Sequence, residues 1–166
     1  VSHCSRDPLM TQPIPMRPFT ESLPMALLLA REATMQHFRP LLAKSKLTEQ
    51  QWRVLRALAS RAEAYEVTKL AERTALLAPS VSRIVANLED RGLIVRTTVA
   101  HDQRRARLRL TRSGNTLVQR LAPESEAIYN GIEEQFGVDR LADLMAELKD
   151  LAETVGYEMT SDWEAS

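Results

Sequence analysis

The chain has one cysteine, Cys4. That excludes an intramolecular disulfide framework and any CxxC redox or metal pair. Cys4 stands in a proline-bearing N-terminal stretch, whereas an oxidant-sensing thiol needs a structured, electropositive setting, so no role is expected of it. The three histidines, at positions 3, 37 and 101, are too scattered to share a metal ion, and no cysteine or second histidine stands at ligand spacing from His37. There is no glycine-rich phosphate loop and no nucleophile motif, so a catalytic constellation is missing. Neither an enzyme nor a cofactor is expected. No apolar run approaches the roughly 20 residues of a membrane span. Residues 1–21 also lack the succession of basic, apolar and small residues that marks a secretory signal. A cytoplasmic protein without a membrane partner is the expectation.

What the chain does have is charge, unevenly placed. Its 22 basic and 22 acidic residues cancel. Residues 1–60 nevertheless carry 8 basic and 4 acidic side chains, residues 61–112 carry 11 and 6, and residues 113–166 carry 3 and 12. A basic middle followed by an acidic end suggests one surface facing a polyanion and another that is solvated and repels it.

Helix signals dominate. The stretch from Ser22 to about Lys44 is rich in Leu, Ala and Met, with Ser22 as a cap and Pro24 in the first turn. Pro40 should kink or break this helix near Arg39. Thr48-Glu49-Gln50-Gln51 has the form of a capping box and opens a helix running to about Ser60. Val67, Leu70 and Ala71 give a short third helix over Val67 to Arg73. After Thr74 to Ala78 the pattern restarts at Pro79 and continues through Val81, Ile84, Val85 and Leu88 to Gly92, a left-handed stop. A short helix, a tight turn and a second helix make a helix-turn-helix outline.

The character then changes. Leu93 to Thr98 is strand-like, and Arg105 to Leu110 alternates arginine with apolar residues, placing Arg105, Arg107 and Arg109 on one face. With Val99 to Arg104 as the tip, this is a β-wing. Thr111 caps a long fifth helix reaching Phe136, bent at Pro123 and ended by Gly137. From about Asp139 a last helix repeats Leu141, Leu144, Met145, Leu148, Leu151, Ala152 and Val155 as a packing stripe.

From Leu23 to Val155 this order of elements resembles the MarR family of bacterial regulators. The resemblance rests on Leu70-Ala71-Glu72-Arg73, Pro79-Ser80-Val81-Ser82-Arg83-Ile84-Val85, Leu88-Glu89-Asp90-Arg91-Gly92-Leu93-Ile94 and Asp102-Gln103-Arg104 leading to Leu110-Thr111-Arg112-Ser113-Gly114. Leu28-Leu29-Ala30-Arg31-Glu32-Ala33, Phe38-Arg39-Pro40 and Leu47-Thr48-Glu49-Gln50-Gln51-Trp52-Arg53 look, more narrowly, like repressors of homoprotocatechuate degradation operons. One departure stands out: Ala78 occupies a position where the family commonly has a Ser or Thr cap, a loss of about 1 kcal/mol.

The expected protein is mainly α with a small β-wing. Its organisation would be a disordered tail over 1–21, an N-terminal dimerisation helix over 22–47 and a winged helix-turn-helix DNA-binding region over 48–112. C-terminal dimerisation helices over 113–158 and a tail over 159–166 would follow. Apolar stripes at both ends have nothing else to cover them, and family members dimerise through their termini. A symmetric dimer implies a pseudo-palindromic site on double-stranded DNA with half-sites about one helical turn apart. The fourth helix would enter the major groove and offer Pro79, Ser80, Ser82 and Arg83, with Asn87 a turn further on. Arg83 is the strongest candidate for a base or phosphate contact. At the wing, Arg104 or Arg105 would reach the minor groove, with Arg107 behind them and Asp102 holding Arg104 in position.

The narrower resemblance implies a repressor of an aromatic-compound operon, released by a small aromatic acid such as hydroxyphenylacetate, homoprotocatechuate or indole-3-acetate. Arg31, Met35 and Phe38 share a helix face, Trp52 and Arg53 begin the next helix, and His37 could add a hydrogen bond. An arginine, Arg53 or Arg31, would pair with the carboxylate while Trp, Phe and Met enclose the ring. The plain alternative for Trp52, Met35 and Phe38 is core packing. Two rival readings of the whole chain are a winged-helix module that binds protein and a regulator of this type sensing an unrelated ligand. The arginine-bearing wing speaks against the first.

Overall fold

A computed structural model describes residues 15–61, 64–99 and 102–157, without the side chains of 98–99 and 102–106. Two compact units divide the chain, Val1–Met35 and Gln36–Ser166. In the first, part of the stretch expected to be a disordered tail is ordered: Phe19–Glu21 forms a 3-10 turn. The Glu21 amide reaches the Pro18 carbonyl at 2.9 Å and the Ser22 amide reaches Phe19 at 3.2 Å. Cys4 lies outside the described residues.

Helix α1 spans Leu23–Lys44 and corrects the expected break at Pro40. Proline removes one ladder hydrogen bond, but Phe38 before it and Leu41 and Leu42 after it are all buried. Burying those side chains offsets the missing bond. Helix α2, Glu49–Ala59, begins with the anticipated capping box: Thr48 Oγ1 accepts from the Gln51 amide at 3.1 Å, and Gln51 Oε1 accepts from the Thr48 amide at 2.9 Å.

A two-residue strand that periodicity could not reveal, β1 (Tyr65–Glu66), precedes α3 (Val67–Thr74). Helix α4 spans Ala78–Asp90, so its cap position is Leu77 rather than Ala78, one residue earlier than expected. The cap bonds go to Leu77, whose carbonyl accepts from Ser80 at 2.8 Å and from Val81 at 3.0 Å. Leucine has no side-chain acceptor, so the first turn of α4 still lacks a side-chain cap. At the other end Gly92 takes φ +65°. The Gly92 and Leu93 amides fold back onto the carbonyls of Glu89 and Leu88, a Schellman closure that glycine makes easy.

Strands β2 (Ile94–Val99) and β3 (Asp102–Leu110) form the wing. The antiparallel sheet has the order β1-β3-β2. The expected tip from Val99 to Arg104 is too long, because Asp102 already pairs with Val99 across a register shift at Thr98/Val99. A bulge absorbs the extra residues and lets pairing run closer to the tip. Helix α5, Arg112–Phe136, continues as one helix through Pro123, and Gly137 at φ +101° separates it from α6, Val138–Thr154.

The core of the second unit gathers Trp52, Val54, Leu55 and Leu58 of α2, Leu70 of α3 and Val81, Val85 and Leu88 of α4, with Ile94, Leu108 and Leu121. The buried residues of α4 recur at spacings of three and four, which turns the intervening polar face outward.

Candidate DNA and ligand interfaces

The outward face of α4 carries the residues singled out from sequence. Pro79, Ser82, Arg83 and Asn87 are exposed and Ser80 is half-buried. The end of α3, just before the turn into α4, is held in two ways. Arg53 of α2 donates to the Thr74 carbonyl at 3.0 Å, at the turn between α3 and α4. Thr74 itself, buried, donates to the Leu70 carbonyl at 2.6 Å. Asn87 is already engaged: its Oδ1 accepts from Gln51 Nε2 at 2.7 Å. The Gln51 of the capping box therefore also ties α2 to α4, a role with no signal in the local motif.

On the wing, Arg107 is exposed beside fully buried Leu108, as the alternation requires. Arg96 is turned back onto Glu89 at 3.3 Å. The side chains of Asp102, Arg104 and Arg105 lie outside the described residues, and with them the expected Asp102–Arg104 pair. Thr111 fixes the base of the wing. Its hydroxyl donates to the Gly92 carbonyl at 2.6 Å and accepts from the Gly114 amide at 3.0 Å.

The expected ligand residues fall in both units. Trp52 is 6% exposed and Phe38 3%, so their rings are largely core, and His37 is exposed. Arg31 and Met35 belong to the first unit, where Arg31 pairs with Glu32 at 2.5 Å. Arg53 points to the α3–α4 turn. Arg56, four residues after Trp52 and thus on its side of the helix, donates to the Tyr129 hydroxyl of α5 at 2.7 Å. The guanidinium carbon lies 5.5 Å from the centre of the Tyr129 ring, and that ring packs on Phe38 at 4.9 Å. Arg39 bonds Glu49 at 2.7 Å nearby in sequence. Arg56 and Tyr129, both missed from sequence, thus bring a cation and a hydroxyl together against an aromatic side chain. The i+4 spacing from Trp52 could have flagged Arg56; nothing local could have flagged Tyr129.

Among the described residues no helix is long and apolar enough to cross a membrane, and no group of three His, Cys, Asp or Glu side chains could hold a metal ion.

Helix, turn, helix and a three-stranded wing define a winged helix-turn-helix protein. The MarR family model matches residues 45–105, the segment from the end of α1 into the wing. The homoprotocatechuate degradative operon repressor of Escherichia coli is 40% identical over 124 residues, 75% of this chain and 83% of that protein. The HTH-type transcriptional regulator FarR of Neisseria gonorrhoeae is 40% identical over 130 residues, 76% and 88% of the two chains. A crystal structure of NadR in complex with 4-hydroxyphenylacetate superposes with a TM-score of 0.72 at 37% identity, over 84% of this chain and 98% of that one. The chain belongs to the MarR family of transcriptional regulators.

Proposed function

We propose that this protein is a dimeric, sequence-specific DNA-binding repressor of an aromatic-compound catabolic operon, released by a small aromatic carboxylate. The observation that carries the ligand class is the Arg56–Tyr129 pair against Phe38. A guanidinium and a phenol oriented together can grip a carboxylate, while neighbouring rings favour a flat aromatic body. The 4-hydroxyphenylacetate of the NadR complex is a molecule of this class. Arg56 and Tyr129 take over the carboxylate role first considered for Arg53 and Arg31.

For DNA, the exposed face of α4 supports major-groove reading by Ser82 and Arg83, with Pro79 and Ser80 at its start. Arg104, Arg105 and Arg107 of the wing would reach the minor groove or its phosphates. Asn87, already bonded to Gln51, would orient the helix as much as read it. Exposed apolar side chains support dimerisation through both termini: Leu23, Leu27, Leu28 and Leu29 of α1, and Val138, Leu144 and Met145 of α6. In such a dimer the ligand must bind one spacing of the two recognition helices more tightly than the other, since equal affinity shifts nothing.

The test is fluorescence anisotropy of the protein on DNA from upstream of its own gene, with and without a panel of arylacetates. Tight, salt-sensitive binding released by one of them is the expected result. Binding that no arylacetate alters would sink the ligand class, and absence of salt-sensitive binding to any duplex would sink the DNA reading.

A further inference from the structure

A buried hydroxyl lies one helical turn from the Arg56–Tyr129 pair. Ser125 of α5 is 2% exposed, and its Oγ has no hydrogen-bond partner among the described residues. A hydroxyl inside a helix commonly bonds back to the carbonyl four residues earlier, as Thr74 does to Leu70. Ser125 makes no such bond to Leu121.

The geometry of α5 sets where this hydroxyl stands. Ser125 and Tyr129 are four residues apart, hence on one side of the helix and separated by about 6 Å along its axis. A helical side chain lies over the turn that precedes it, so Tyr129 leans towards Ser125. Helix α1 runs antiparallel past both: Phe38 packs on Tyr129 at 4.9 Å, and Lys44 Nζ lies 3.9 Å from a Glu124 carboxylate oxygen. The turn of α1 between those contacts carries buried Leu41 and Leu42. Ser125 thus stands on the inner, apolar side of the pair, whereas Tyr129 is half-buried.

An unpartnered hydroxyl in such surroundings is destabilising. Alanine would fit there without that penalty and favours a helix more. A polar group kept against the interest of the fold points to a use outside it. Arg56 and Tyr129 address a carboxylate, and one helical turn is about the span from a carboxylate across a benzene ring to a ring substituent.

We propose that Ser125 is a specificity-determining residue that hydrogen-bonds a ring hydroxyl of the aromatic acid, so that the site selects hydroxylated arylacetates over unsubstituted ones. The proposal rests on the ligand reading above. Serine and phenol hydroxyls each donate and accept, so the bond can form in either direction. A ligand without the ring hydroxyl leaves Ser125 unpaired, which is how a buried polar group rejects an apolar analogue.

The test is isothermal titration calorimetry of wild type, Ser125→Ala and Thr116→Ala with phenylacetate and its ortho-, meta- and para-hydroxylated forms. Thr116→Ala removes a hydroxyl from an exposed position of the same helix and is the control. Wild type should bind at least one hydroxylated form about tenfold more tightly than phenylacetate. Ser125→Ala should reduce that preference to about twofold or less by weakening the hydroxylated ligand alone, while the control keeps it. The melting temperature of ligand-free Ser125→Ala should equal or exceed that of wild type, which separates this role from a structural one. An unchanged preference in Ser125→Ala, or an equal loss for phenylacetate and its hydroxylated forms, would overturn the proposal. So would a lowered melting temperature with the preference intact, since the hydroxyl would then serve a buried water. If wild type binds phenylacetate and its hydroxylated forms alike, the ligand reading stands and the Ser125 assignment falls. If it binds none of them, both fall together.

Discussion

The Arg91 guanidinium donates to the carbonyls of Ser45 at 3.3 Å and Lys46 at 3.0 Å, joining the end of α4 to the turn that follows α1. Those carbonyls are free to accept because the helix has ended. The Leu47 amide folds back to Leu42 and the Lys46 amide to Ala43, with Lys46 at φ +53°. With the Gln51–Asn87 bond, Arg91 gives α4 two polar ties to the α1–α2 corner. Both pairs are exposed, so each tie is worth less than a buried hydrogen bond. Arg91→Ala should lower the free energy of unfolding by about 1 kcal/mol, read from urea denaturation. It should also weaken specific DNA binding more than Arg120→Gln does, an equal charge change at an exposed position of α5. Stability and binding both unchanged would show the tie to be idle.

Gly114 sits in the first turn of α5, and a Cβ placed there would lie 2.1 Å from the Leu93 carbonyl oxygen and 3.1 Å from its carbon. Both obstacles are backbone, locked by the Thr111 hydroxyl on Gly92. Gly114→Ala should cost more than about 3 kcal/mol and lower the melting temperature sharply. Gly131→Ala meets nothing within 4 Å and serves as the control. A loss below 1 kcal/mol at Gly114 would mean that the wing root yields.

Ala75 closes α3 in the left-handed region, φ +50° and ψ +42°. Its amide bonds Glu72 and the following Leu76 amide bonds Ala71. A side chain in that conformation costs roughly 1 kcal/mol, partly offset in Ala75→Gly by the greater freedom of unfolded glycine. Ala75→Gly should raise stability by up to about 1 kcal/mol, whereas the same change at helical Ala86 should lower it by a similar amount. Equal losses at both positions would contradict the assigned turn.

Arg83 is exposed on α4. Arg83→Ala should leave the melting temperature within about 1 °C, because surface changes away from special contacts are nearly neutral. It should weaken specific binding by about 1–3 kcal/mol, roughly 5- to 150-fold. Unchanged specificity would move base reading elsewhere on the helix.

Arg56→Gln and Tyr129→Phe address the ligand. Each should weaken the response to the active arylacetate at least tenfold while leaving DNA affinity without ligand nearly unchanged. The corresponding aryl alcohol, which has no carboxylate, should discriminate little between wild type and Arg56→Gln. Equal ligand sensitivity in all three proteins would remove the pair from the site.

Periodicity, caps and breakers were enough to read the helices, the turn before α4 and the alternating wing, because each depends on residues within one or two turns of one another. The Thr48–Gln51 box and the Gly92 stop are four-residue and single-residue statements of backbone hydrogen bonding, and both stand in the fold. Where local rules competed with packing, packing decided. Burial of Leu41 and Leu42 carries α1 past Pro40. The functional pairs were legible only in part. Arg83 shows itself by its place on an amphipathic helix, but Arg56 and Tyr129 are 73 residues apart, and no spacing rule joins them. The same holds for Arg91 with Lys46 and for Gln51 with Asn87. Sequence by itself determined the six α-helices, the two strands of the wing and which faces are polar. Only tertiary packing decided which polar side chains meet, because that depends on how remote elements cross rather than on the period of any one of them.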